Sequence, residues 1–137
     1  MSTAVETYLD IWHRIVMERK LELFDECFTA DYTYGTPSMM LNGPAETKAY
    51  FGALLDAFSD IEFDVEDSFG AGDRVAKRWV FRGTHTGELS GIPATGKRVS
   101  LAGVSLARMA GDKIAEERDV ADDLGFLQQL GVIPALG

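Results

Sequence analysis

Apolar residues recur with two different periods along this chain. In the first part they return every three to four positions. Val5, Leu9, Trp12 and Val16 mark one face of a first helix. Thr3-Ala4-Val5-Glu6 has the spacing of a capping box, which starts that helix. A second, short helix is predicted from Leu21 to Cys27, with Leu21, Phe24 and Phe28 as its apolar positions. Tyr32-Thr33-Tyr34 is β-prone and runs into a turn at Gly35-Thr36-Pro37. Gly43-Pro44 opens a third helix with proline at its first turn, and Phe51, Leu54, Leu55 and Phe58 form the stripe it buries.

From Ile61 the period becomes two. Ile61, Phe63 and Val65 alternate with Glu62, Asp64 and Glu66, which predicts a strand with one wet face. Gly70-Ala71-Gly72-Asp73 turns the chain into a strand from Arg74 to Gly83. A loop of about nine residues, marked by Gly87, Gly91, Pro93 and Gly96, leads to a strand from Arg98 to Met109. Gly111-Asp112 turns into the last strand, Lys113 to Asp122, and Asp123 to Leu130 reads as a short helix or turn stopped by Gly131. Helices first and hairpin-linked strands after define an α+β domain in which an antiparallel sheet curls into a cone against three helices.

At 137 residues the chain suits one domain, with no repeat, linker or low-complexity tract inside it. Its 46% apolar and 26% charged residues are those of a soluble globular domain. The 13 basic and 22 acidic residues leave a formal charge of −9. With basic residues scattered apart from Lys97-Arg98, no footprint for nucleic acid or an anionic membrane surface is expected. Cys27 is the sole cysteine, so no internal disulfide forms. The N-terminus does not read as a signal peptide and no stretch is long enough to span a bilayer, so the cytoplasm is the expected compartment.

Candidate chemistry is sparse. His13 lies beside the first helix's apolar stripe and reads as a packed or surface residue. His85, where strand becomes loop in Gly83-Thr84-His85-Thr86-Gly87, is a candidate general acid or base, or equally the anchor of that turn. Metal-ligand spacing is missing, and the acidic run Glu116, Glu117, Asp119, Asp122, Asp123 is better explained by a solvated strand face and a helix start. Cys27 has no histidine nearby in sequence and reads as a core filler. Carboxylates remain. Period two sets Glu117 and Asp119 on one strand face. Burial in an apolar cone would lift an aspartate from its feeble basicity into a useful range, which makes Asp119 a candidate base.

Several segments together resemble SnoaL-like polyketide cyclases. They are Phe81-Arg82-Gly83-Thr84-His85-Thr86-Gly87-Glu88, Gly91-Ile92-Pro93, Thr95-Gly96-Lys97, Gly111 to Asp119, Leu124-Gly125 and Gln129-Leu130-Gly131. The resemblance covers nearly the whole chain. It implies an NTF2-like cone, a curved, mostly antiparallel sheet wrapped by N-terminal helices, assembled as a homodimer or homotetramer through the sheet. It implies chemistry on an apolar polyketide-like small molecule with neither metal nor organic cofactor. An aspartate on the final strand is the family's general acid/base in aldol ring closure, and that role falls on Asp119. Those cyclases also carry a glutamine and a histidine two residues apart on the penultimate strand. Gly103 and Ser105 stand there in this chain, so the pocket is expected to be wider at that point. Relatives of the fold hydrate epoxides, isomerise steroids, dehydrate substrates or take part in hydroxylation, and such a tailoring step is the alternative reaction.

Pattern adds Trp12, Tyr34, Met40, Phe51, Trp79 and Phe81 as substrate-binding candidates, with Tyr34 the one able to offer a hydroxyl. Arg78 points away from the Trp79 side and reads as an ion-pair partner. The contrasting possibility is a non-catalytic binding or dimerisation module. A filled cone, or Asp119 paired with Arg108 or Arg118, would favour it; an unpaired Asp119 on a cavity would favour an enzyme.

Overall fold

The computed structural model describes residues 3–134. Its order is α1 (Ala4–Glu18), α2 (Leu23–Glu26), β1 (Phe28–Thr36), β2 (Met39–Asn42), α3 (Pro44–Asp56), β3 (Phe58–Ala71), β4 (Arg74–His85), β5 (Arg98–Ala110), β6 (Lys113–Ala121) and α4 (Asp123–Leu130). The six strands form one sheet in the order β2-β1-β6-β5-β4-β3. All pairs are antiparallel except β1 with β6. Register shifts in β3 and near Arg108/Met109 bend the long strands, as bulges do. The expected α+β architecture is present, with one more strand than the sequence suggested: β2 pairs back on β1 after the Pro37-Ser38 turn.

Thr3 caps α1 by accepting from the Glu6 amide, and its hydroxyl donates to the Glu6 carboxylate. The face α1 buries is Tyr8, Ile11, Trp12, Ile15 and Val16, rotated from the predicted stripe, so Val5 and Leu9 are half-buried. Trp12 meets Phe24, Phe28 and Phe51 edge-on, at ring separations of 5.8, 5.9 and 5.0 Å. Such pairs add ~0.5–1.5 kcal/mol each beyond area burial. They tie α1, α2 and α3 to the start of β1. Phe58, predicted as the end of the third helix's stripe, instead begins β3 and packs on Phe81. His13 is exposed.

Strict alternation governs the sheet's inner face. Val75, Lys77, Trp79 and Phe81 of β4, Gly103, Ser105 and Ala107 of β5, and Ala115, Glu117 and Asp119 of β6 all point inward and are buried. On β4 the even-numbered residues face outward. Arg78 pairs there with Glu66 at 3.2 Å and Arg82 with Asp64 at 2.9 Å, as expected for Arg78. No helix among the described residues is long and apolar enough to cross a membrane.

Candidate active site

The inner face does not close on itself. Between the sheet, α1, α3, α4 and the loop after β4 lies a cavity of about 350 Å³. Its wall is largely aromatic and aliphatic, including Trp12, Phe51, Phe63, Trp79, Phe81 and Leu101. Besides the Tyr34 hydroxyl, four buried polar side chains from the sheet interrupt it, Lys77, Ser105, Glu117 and Asp119, while Thr36, Ser38, Ser90 and Asp123 are less buried polar residues of the wall.

Strand register explains why the buried four meet. Lys77 of β4 is opposite Ser105 of β5, and Ser105 is opposite Asp119 of β6, which makes one row across three strands. Glu117 lies one inward position along β6 and is opposite Tyr34 of β1. The Tyr34 hydroxyl donates to Asp119 Oδ2 at 2.8 Å. Asp119 Oδ1 is buried without a hydrogen-bond partner. Trp12 Nε1 donates to Glu117 Oε1 at 2.8 Å, and Trp79 Nε1 donates to Ser105 Oγ at 2.9 Å. Lys77 Nζ sits over the rings of Tyr8, Trp12 and Phe63, 4.6, 5.2 and 5.2 Å from their centres.

The electrostatics follow from this burial. Lys77, Glu117 and Asp119 are 4%, 1% and 8% exposed. None of them joins an ion pair among the described residues. Loss of hydration pushes the Glu117 carboxyl well above the usual carboxylate range, the neighbouring Asp119 charge pushes it further, and Lys77 and the Trp12 indole oppose both. Burial pulls the Lys77 ammonium down while Glu117 and Asp119 hold it up. The Tyr34 phenol is raised by burial first and by Asp119 second, so it remains a hydroxyl and a donor.

The structure brings Trp12, Tyr34, Phe51, Trp79, Phe81, Ser105 and Asp119 together around the cavity. Met40 is not among them. It is half exposed at the sheet edge, and Met39 lines the cavity instead, because β2 sets the opposite parity. Gly103 is buried but screened from the cavity by Trp79. A Cβ on Gly103 would lie 2.4 Å from Trp79 Cζ2. The expected widening at Gly103 is therefore absent, since an indole from the next strand fills that space. His85 lies outside the cavity wall. Its Nδ1 bonds Thr95 Oγ1 at 3.0 Å and accepts from the Thr95 amide at 3.2 Å, and its ring packs on Phe58. That is the turn-anchoring reading of His85, whose other ring nitrogen, Nε2, is buried without a hydrogen-bond partner among the described residues.

Sequence reasoning missed Glu117 and Lys77. Both had the correct parity, two residues from Asp119 and from Trp79. A carboxylate seldom sits in a core, so the pattern alone reads Glu117 as part of a solvated face, whereas it is buried here. Cys27 is half-buried, and burial raises its thiol rather than activating it. Arg118 turns to Thr33 and to Glu116, leaving Asp119 unpaired. Among the described residues no group of three or more histidines, cysteines and carboxylates is disposed to hold a metal ion.

A curved sheet, closed by helices around an apolar cavity with carboxylates on its floor, defines an NTF2-like, ketosteroid isomerase-like fold. More narrowly, the chain belongs to the SnoaL-like polyketide cyclase family, which it matches over residues 2–130. It is 37% identical over 95 residues to aklanonic acid methyl ester cyclase DnrD of Streptomyces peucetius, covering 66% of this chain. That match spans 63% of DnrD, less than two thirds of its length. Among solved structures it is similar to AclR of Streptomyces galilaeus, a proposed hydroxylase, with a TM-score of 0.83 and 26% identity over 96% of this chain and 86% of AclR. It also resembles a proposed polyketide cyclase of Acidithiobacillus ferrooxidans, with a TM-score of 0.79 and 28% identity over 96% and 97% of the two chains.

Proposed function

We propose that this protein is a cofactor-independent cyclase that closes or isomerises a ring in an apolar polyketide, with Asp119 as general acid/base. The observation that carries the reading is Asp119 itself, a carboxylate on the floor of an apolar cavity, with one oxygen held by Tyr34 and, among the described residues, no cation paired with it and no partner for the other oxygen. Asp119 takes a proton from a carbon flanked by carbonyl groups. The enolate delocalises through the conjugated substrate, so one positioned carboxylate suffices, and its carbon attacks a second carbonyl. Tyr34 orients Asp119, and the aromatic wall excludes water that would quench the enolate. The similarity to DnrD supports ring closure of this kind.

Incubation of the purified protein with aromatic polyketide methyl esters, without added cofactor, is expected to give products of unchanged mass. The likeness to AclR supports a second reading, a hydroxylation step. A product heavier by oxygen would overturn the cyclase reading in its favour, and a change by water would point to hydration or dehydration.

The working unit is a homodimer built through the outer face of the sheet, or a homotetramer of two such dimers. Val104, Leu106 and Val120 are 46%, 60% and 61% exposed there, and Val104 and Val120 are directly opposite each other in register. Contiguous apolar surface of this kind is typical of an interface. Leu106→Glu is expected to halve the mass measured by light scattering after size-exclusion chromatography. An unchanged mass would place the interface elsewhere.

A further inference from the structure

We infer that Glu117 is the proton donor of this site, a neutral carboxylic acid that protonates the carbonyl oxygen while Asp119 takes the proton from carbon. The inference rests on the cyclase reading for its reaction, though not for the state of Glu117.

An aldol closure needs two proton movements at two places. One proton leaves carbon, and another must reach the oxygen that becomes an alcohol. The penultimate strand offers little for the second task. Gly103 has no side chain, and Ser105, whose oxygen accepts from Trp79 Nε1, offers only a hydroxyl far less acidic than a carboxyl. The Tyr34 hydroxyl is engaged with Asp119. Besides Asp119 two carboxyls line the cavity, and of these Glu117 is buried while Asp123, at the start of α4, is exposed and keeps its hydration. Glu117 lines the cavity on the same strand face as Asp119, two residues away, or about 7 Å along the strand. Trp12 occupies one of its oxygens only.

Two buried carboxylates beside one buried ammonium cannot both stay ionised cheaply. Lys77, fixed over three ring faces, balances one negative charge. The second carboxyl keeps its proton. The groups facing Glu117 are Asp119 on its own strand, Lys77 on β4, Tyr8 on α1, and Tyr32 and Tyr34 on β1. Lys77 is the one cation among them. Glu117 is the more deeply buried of the two carboxyls, so the proton belongs there.

The step balances. Asp119 accepts the proton from carbon, and the electron pair of that C–H bond becomes the enolate. The enolate carbon bonds to the second carbonyl carbon, whose π pair moves onto oxygen. That oxygen takes the proton of Glu117. The product is an isomer of the substrate, and the proton on Asp119 then crosses to Glu117 to restore the site.

The test has two arms. In protein labelled with carbon-13 at the glutamate side-chain carboxyl, the resonance lost in Glu117→Gln is assigned to Glu117. It is expected to remain that of a protonated acid through neutral pH and to titrate above it. Titration in the ordinary acidic range would overturn the proposal. This arm needs no substrate, so it stands apart from any failure of the cyclase reading. In the second arm, with a substrate that the wild type closes, Glu117→Gln is expected to lower kcat about a hundredfold with little change in KM. Wild type is expected to show an alkaline fall in kcat as the donor loses its proton, and Glu117→Gln is expected to abolish it. Glutamine keeps the acceptor for Trp12 and nearly the same volume. Should it still disturb folding, Glu117→Asp serves the same assignment and is expected to retain part of the turnover. An unaltered kcat and pH profile in Glu117→Gln would remove it as donor.

Discussion

Asp119→Asn is expected to lower turnover by about 10²–10⁴-fold, the range that a positioned acid–base group contributes, while the fold persists. The physical case rests on what the substitution keeps. An amide has almost the volume of a carboxylate, and its oxygen still accepts the Tyr34 hydroxyl bond now made to Oδ2. It removes a negative charge that is 8% exposed and unpaired, and burying a neutral amide costs less than burying a charge. Thermal unfolding should therefore be nearly unchanged, and KM for an apolar substrate should move little, since the aromatic wall that binds it is intact. The amide cannot take a proton from carbon, so kcat falls. Steady-state kinetics beside a melting curve decides the matter. Near-normal kcat in a well-folded Asp119→Asn protein would remove Asp119 from the mechanism.

Gly103→Ala should be the most damaging single methyl group in the sheet. The added Cβ would lie 2.4, 2.7 and 2.8 Å from three atoms of the Trp79 indole, closer than real Cβ contacts allow. β5 is held between β4 and β6 in unbroken register at this position and cannot shift alone. The indole must swing away. Overpacking costs ~1–3 kcal/mol, and losing the Trp79–Ser105 hydrogen bond inside the protein adds ~1–3 kcal/mol. A combined loss of about 3 kcal/mol corresponds to a fall in Tm of roughly 10 °C for a domain of this size. A smaller side chain at position 79 should relieve the conflict, so Gly103→Ala should cost much less when added to Trp79→Val than when added to wild type. Equal losses in both backgrounds, measured by thermal unfolding, would show that the indole does not fill the space over Gly103.

How far the chain could be read without coordinates differs by level. The strands after Ile61 were legible because alternation is written into consecutive residues: once one side chain of β4 or β6 is known to point inward, every second one follows. The helical segments were legible for the same reason at the longer period. The choice of helix face was not. Val5-Leu9-Trp12-Val16 and Tyr8-Ile11-Trp12-Ile15 both recur at helical spacing, and the sheet's position selects the second. Strand β2 escaped because Met39-Met40-Leu41-Asn42 is four residues long and shows no alternation. Without that strand the parity is not legible, so the pattern points to Met40 where Met39 faces the cavity.

For the site, residue type and spacing along the chain were enough for the α+β order, the family, the common strand face of Glu117 and Asp119, and most of the aromatic wall. Each of these depends on residue type and on separation along the chain. What arrives from the rest of the fold settles that Glu117 is buried rather than solvated, that Lys77 is buried over aromatic faces in the same cavity wall, that His85 is bonded to Thr95, and that Trp79 closes the space above Gly103. Periodicity states on which side of an element a residue lies. Depth, charge state and empty volume depend on what arrives from elsewhere in the fold, as when Trp12 of the first helix meets a carboxylate of the last strand 105 residues away.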